Sequence, residues 1–226
     1  IRDSSTSRGL GDVYKRQSWN SMSHKGKIYG IVGVIGSGKT YRAEQLQVDA
    51  AVEERPMILG DFSEGIRQTL MNIFTGRNRG VQLDSSVYAG WKNAQQSILL
   101  PTSGNGLLPD IVKVTGREML QRTGEYLKTL AGEDVWAKWT AQDILNRWSK
   151  IDTDKRGLCD IVFGSLRFDC EAAQLFNLSK ATEKEVEIIF CNFKSDKYEL
   201  NDHVSEDFAR YFLDKGCKDG DDITEL

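Results

Sequence analysis

The chain has 226 residues with 30 Lys and Arg against 33 Asp and Glu, a net charge of -3, which excludes holding nucleic acid or anionic lipid by overall charge. Hydrophobic residues at 39% and charged residues at 28% are those of a globular protein with its own core, and no apolar run approaches the roughly 20 residues of a membrane span. Four cysteines without a CxxC pair, and only two histidines, argue against a zinc ribbon or a disulfide framework, so Cys159, Cys170, Cys191 and Cys217 are expected to be buried reduced thiols of a cytoplasmic protein.

Residues 1–17, IRDSSTSRGLGDVYKRQ, have no apolar periodicity and no signal-peptide core, and Ser7 to Gln17 resembles the translated read-through of a transposon-based sequencing adapter. They are read as an adapter artefact or a disordered tail, with a natural start at Met22. They hold four basic and two acidic residues, so the remaining 209 carry 26 basic against 31 acidic groups, a net -5. An acidic body binds a polyanion only by concentrating cations in one place.

Lys27 to Val32 (KIYGIV) predicts a buried strand that runs directly into GVIGSGKT, Gly33 to Thr40. Helix formers from Tyr41 to Glu54, closed by Pro56, predict a helix. Strand, glycine loop and helix form the setting in which GxxxxGK[ST] cradles the phosphates of a nucleoside triphosphate. Gly33, Gly36, Ser37 and Gly38 would turn backbone amides toward phosphate oxygens, and Lys39 would meet the β- and γ-phosphates. The Thr40 hydroxyl is the expected magnesium ligand, so ATP and Mg2+ are the expected cofactors.

Met57 to Leu59 predicts a second strand ending at Gly60-Asp61, and Phe62 to Phe74 a helix capped by Asp61 or Ser63, with Arg67 near that strand end. Arg77 to Asp110 is weakly patterned and is read as an insertion or mobile cover. It belongs to a helical substrate-side region, 77–150, within a single domain spanning 25–226. Gly116 to Leu130 predicts a helix with Met119, Leu120, Leu127 and Leu130 on its apolar face and Arg117, Gln121 and Arg122 on others. A second follows from Asp134 to Trp148, with Trp136, Trp139 and Trp148 spaced partly like a buried stripe.

Gly157 to Phe163 predicts a third strand, Gly164 to Phe168 the loop at its end, and Asp169 to Leu178 a helix. Val186 to Cys191 predicts a fourth strand and Val204 to Lys215 the last helix, while the final DDITEL reads as stopping short of another strand. Strands and helices in alternation predict an α/β three-layer sandwich, a mainly parallel sheet flanked by helices with its site at the carboxyl edge.

The chain has no NKxD base-reading motif of GTPase switches. It has arginines at Arg67, Arg117, Arg122 and Arg167, which suit phosphoryl transfer between two anions, a reaction governed by alignment and charge neutralisation. From Lys25 onward this order of motifs resembles the phage-type deoxynucleoside monophosphate kinases of the P-loop fold. GVIGSGKT is the strict signature; Gly65-Ile-Arg67 in DFSEGIRQTL, REMLQRTGEYL from Arg117, and Val135-Trp136 follow the family's order. So do Arg167 and Glu171 in FGSLRFDCEAAQL, and NDHVSE from Asn201 to Glu206.

The resemblance implies ATP-dependent phosphorylation of a deoxynucleoside monophosphate to the diphosphate. It implies Lys39 on the donor, Arg67, Arg117 and Arg167 on the acceptor phosphate, Asp61 and Gln121 in the acceptor site, and Trp136 stacked on the acceptor base. A small-molecule nucleotide is then the partner, with no nucleic acid and no membrane, and a homodimer is possible. The family often has an aspartate two residues before its arginine where this chain has Ser165, which makes Asp61 or Asp160 the candidate acidic helper. Asn192 and Lys194 stand where kinases commonly place a lid arginine. Two alternatives remain: a kinase of another small acceptor such as dephospho-coenzyme A, whose hydroxyl would need a carboxylate base, and a nucleotide-binding regulatory protein without catalysis.

Overall fold

The computed structural model describes residues 25–75, 90–91, 94–100, 110–192 and 206–225, so the readings made for 1–17 and for most of 77–110 lie outside the described residues. In chain order the elements are β1 (Ile28–Val32), α1 (Lys39–Val52), β2 (Met57–Gly60), α2 (Glu64–Thr75), β3 (Gln95–Leu100) and β4 (Asp110–Thr115). They continue with α3 (Gly116–Ala131), α4 (Val135–Ser149), α5 (Thr153–Arg156), β5 (Asp160–Leu166), α6 (Asp169–Thr182), β6 (Val186–Phe190) and α7 (Asp207–Asp214). The chain divides into two compact units, Ile1–Asp61 with Ala141–Leu226, and Phe62–Thr140.

The first unit is built on a parallel four-stranded sheet of order β2-β5-β1-β6. Central parallel strands are covered on both faces and need continuous apolar sequence. IYGIV of β1 meets that need, every residue being buried. Tyr29, Ile31, Val162 and Ile189 point to one face, where Ala43 and Leu46 of α1 pack on them. On the other face the Cα of Gly30 lies against Leu166 and Leu175, the latter from α6. The α/β class, a parallel sheet flanked by helices, is therefore as the alternating pattern predicts.

Strand β5 keeps the expected length of seven residues but lies three residues further along the chain than expected. Gly164, Ser165 and Leu166 belong to the strand, with Val32 pairing to Leu166 across a register shift, so the loop at its end is only Arg167 and Phe168. The C-terminal segment lies antiparallel along the outer side of β6: Ile223 N–H donates to Ile188 O at 2.8 Å and Phe190 N–H to Asp221 O at 2.9 Å. Ile223 is buried beneath it. At the amino end of β5, Asp160 is buried, ion-paired with Arg55, and accepts the Lys27 backbone N–H at 2.9 Å. All four cysteines are free; Cys159 and Cys191 are buried as expected, whereas Cys170 and Cys217 are half-buried.

The second unit has its own small core of Leu70, Val114, Met119 and Leu120, joined by Ile66 and Trp91. β3 and β4 pair antiparallel from Gln95 opposite Thr115 to Leu100 opposite Asp110. No strand was legible there, because the region lacks a clean alternation. Thr115 ends β4 and starts α3 through a capping box with Glu118, which satisfies two backbone donors reciprocally. The boundaries are Phe62 and Thr140, against the expected 77–150, since α2 packs with α3. Among the described residues no helix is long and apolar enough to cross a membrane.

Candidate functional site

Where β1 ends, the chain must turn sharply against the end of β6. A Cβ on Gly33 would lie 2.3 Å from Ser37 Oγ and 2.4 Å from the Cys191 carbonyl oxygen, so no side chain fits there. Ser37 N–H then closes a turn onto Val34 O at 3.1 Å. Gly36 and Gly38 have φ of 79° and 88°, left-handed values that favour glycine. Gly38 serves as the N-cap of α1 and brings no side chain to it, and the first turn holds no acidic residue. The positive end of the helix and its unpaired amides are thus left for an anion.

Lys39 folds over this loop. Its Nζ donates to the carbonyls of Gly33 and Val34, the latter at 2.7 Å. Burial lowers the ammonium's pKa, the charge of Glu206 pushes it back up, and Arg167 lowers it further. Thr40, the next residue, is exposed on the first turn of α1. A magnesium ion fits this donor set: a hydroxyl beside a phosphate cradle is the hard-oxygen environment the ion takes when phosphates and water complete its shell. Among the described residues no group of three or more His, Cys, Asp or Glu could form an all-protein cage.

Arg167 stands just past the end of β5, exposed, its Nε 3.3 Å from Ser165 Oγ. Its backbone N–H is held at 2.7 Å by the carboxyl of Glu171 in the first turn of α6. Glu171 is buried, and burial raises its pKa to about 7 against the opposing hydrogen bond and charge of Arg167, with Asp61 adding to the rise. Asp61 is exposed at the carboxyl end of β2 and remains a candidate acidic helper. Asp160 does not: it lies at the opposite end of β5, committed to Arg55 and Lys27.

Beside the loop opens a cavity of about 400 Å³ lined by Ser37, Gly38, Tyr41, Arg42, Ile189 and Cys191, with Asp219 and Gly220 completing it. Ser37 Oγ and Arg42 Nε are buried there without a hydrogen-bond partner among the described residues. No motif spacing points to Tyr41, Arg42, Asp219 or Gly220, because they join the loop only through the packing of α1 and the C-terminal segment against β6. Ile35 N–H is taken by Glu206 at 2.8 Å, a contact equally hidden, since the two residues lie 171 positions apart.

The first unit therefore gathers Gly33, Gly36, Ser37, Gly38, Lys39, Thr40, Asp61 and Arg167 at the carboxyl edge of its sheet. Arg67, Arg117, Gln121 and Trp136 belong to the second unit. There Arg67 is ion-paired with Glu64 on α2, while Arg117, Gln121 and Arg122 are exposed on α3. Trp136 is buried, its indole N–H donated to Gly124 O at 3.1 Å and its ring close to Gly65, which corrects the base-stacking expectation: the ring is enclosed in the unit's own packing.

No protein-family model and no curated protein matches the chain. Among solved structures, a cysteine-to-alanine mutant of the Mycobacterium tuberculosis APS kinase CysC matches at 12% identity, covering 84% of this chain and 96% of that one, with a TM-score of 0.30. The same kinase in complex with AMPPNP and APS matches at 10% identity over 84% and 97%, with a TM-score of 0.29.

Proposed function

We propose that the protein is an ATP-dependent small-molecule kinase that transfers the γ-phosphoryl group to a deoxynucleoside monophosphate. The observation that carries this reading is the phosphate cradle: uncapped positive helix end, left-handed glycines, and Lys39 braced on the Val34 carbonyl with Arg167 close enough to depress its pKa. The triphosphate would lie on the loop with its nucleoside in the adjoining cavity, where the orphaned Ser37 Oγ and Arg42 Nε would find partners. The Thr40 hydroxyl would hold a magnesium ion, whose chemistry would be to neutralise charge on the donor phosphates.

In the transfer, the bond between the γ-phosphorus and the bridging oxygen of ADP breaks as one forms to an oxygen of the acceptor phosphate. That acceptor is already ionised at neutral pH, so no general base is needed. Lys39 and Arg167 would stabilise the charge that spreads over the transferred group. Arg67, Arg117 and Gln121 are proposed for the acceptor. The test is a coupled ADP-release assay across the deoxynucleoside and ribonucleoside monophosphates; absence of turnover with all of them, in folded protein that binds ATP, rejects the reading.

One observation favours a second reading. Asp61 is an exposed carboxylate at the carboxyl edge, which suits deprotonation of a hydroxyl acceptor. Turnover of dephospho-coenzyme A without turnover of nucleotides would decide for it, and ATP binding without any transfer would decide for a regulatory protein.

A further inference from the structure

The peptide joining Val34 to Ile35 is held at both of its polar ends. Its carbonyl oxygen accepts from Lys39 Nζ at 2.7 Å and from Ser37 N–H at 3.1 Å. Its N–H donates to Glu206 Oε2 at 2.8 Å. Packing does not supply this restraint, because the Ile35 side chain is 43% exposed. The two positive-φ glycines that follow leave the backbone free to rotate. Glu206, by contrast, is only 4% exposed and precedes α7, yet its side chain makes no cap for that helix. A buried carboxylate that reaches away from its own helix to a loop amide is tied to the loop's conformation, and a charge-assisted bond of this kind is among the stronger ones.

We propose that Glu206 is a positioning residue for the donor phosphates: it fixes the plane of the Val34–Ile35 peptide and thereby the carbonyl on which Lys39 leans. The inference rests on the reading of the loop as an ATP site. It makes Glu206, the residue at the start of α7, part of the donor-binding apparatus, acting through the backbone and not through contact with the nucleotide.

The experiment uses the full chain and MgATP, titrated by calorimetry, with Ile35 amide exchange measured in parallel. Glu206→Gln keeps an acceptor at the same reach, whereas Glu206→Asp keeps the charge but withdraws it by one methylene, and Glu206→Ala removes both. The expected result is MgATP affinity within about threefold of wild type for the glutamine variant, and a loss of about tenfold or more for aspartate and alanine. Ile35 should exchange faster in the latter two, and the KM for ATP should rise while that for the acceptor stays put. Should the alanine variant fail to fold, the glutamine and aspartate pair decides. Wild-type affinity in the aspartate variant overturns the proposal, and so does tighter binding by the glutamine variant, which would mark the carboxylate as a competitor of phosphate. Wild-type protein that fails to bind MgATP overturns the ATP reading itself, an outcome told apart by its presence before any substitution is made.

Discussion

The Glu171 carboxyl reaches back four residues to hold the Arg167 backbone N–H at 2.7 Å, and in doing so it pins the two-residue turn on which the arginine stands. Its position, buried at the start of α6, raises its pKa to about 7, chiefly through burial. In the unfolded chain a glutamate titrates near 4.3. Between those values the folded protein keeps a proton that the unfolded chain releases, so this group's contribution is complete at the acid end and is lost as pH rises through the window. Urea unfolding at pH 5 and pH 8 should show Glu171→Gln gaining on wild type at the higher pH, by up to about 3 kcal/mol. A wild type that gains on the variant instead contradicts the assignment.

Replacing Lys39 by alanine should leave the far-ultraviolet dichroism unchanged and reduce kcat by about a thousandfold or more, several kcal/mol of transition-state stabilisation. The ammonium is half-buried and, among the described residues, bonded to carbonyls of its own loop, so the fold does not depend on it as it depends on a core ion pair. A variant retaining a tenth of wild-type kcat would remove Lys39 from the transfer step.

Gly33→Ala tests the tightness of the turn. The new methyl would press on both Ser37 Oγ and the Cys191 carbonyl, and only the first can be relieved by a side-chain change. The expected cost is about 1–3 kcal/mol in stability, with weaker ATP binding, and the double variant Gly33→Ala/Ser37→Ala should recover little of either. Full recovery in the double variant, read by thermal melting and calorimetry, would show that the backbone carbonyl yields.

Asp160→Asn separates scaffold from site. It leaves the half-buried Arg55 opposite a neutral amide at the amino end of β5, still paired with Glu53, where it should destabilise by about 1–3 kcal/mol. Because the phosphate loop is at the other end of the sheet, kcat per folded molecule should hold within about twofold, well inside the 1.4 kcal/mol that makes a tenfold change. A selective fall in kcat at unchanged stability would return Asp160 to the list of acidic helpers.

Trp136→Phe removes the donor to Gly124 O while keeping an aromatic ring in the packing. Stability should fall by about 0.5–1.5 kcal/mol as the helix carbonyl loses its second donor. The KM for a nucleoside monophosphate should not move; a rise in that KM without a loss of stability would restore the stacking role.

How much of this could be read from the sequence follows from which interactions are local. The strand, glycine turn and helix around Gly33 to Thr40 were legible because they are contiguous in the chain. The parallel sheet was legible because β1 and the Ile161 to Phe163 stretch of β5 are apolar runs set between helical patterns. The β3 and β4 pair was missed, since antiparallel pairing at Gln95 and Thr115 joins positions twenty apart that lack alternation. Arg42 and Asp219 were invisible, and Glu171 and Glu206 stood in the motif order without an assigned role: what all four do is set by tertiary packing that no spacing encodes. Trp136 shows the opposite error, an aromatic assigned to a ligand when its indole had a backbone partner twelve residues away.

The segment from Asp219 to Thr224 has a consequence for how this molecule behaves in crowded solution. A strand at the rim of a sheet offers a ladder of unsatisfied donors and acceptors to any passing chain. Here Gly220, Asp221 and Ile223 meet the backbone of Ile188 and Phe190, and Thr224 adds its hydroxyl as acceptor for the Ile188 N–H at 2.7 Å. These few residues act as a selvedge on the woven edge: without them the fabric would still be made, but it would be open to being stitched to its neighbours.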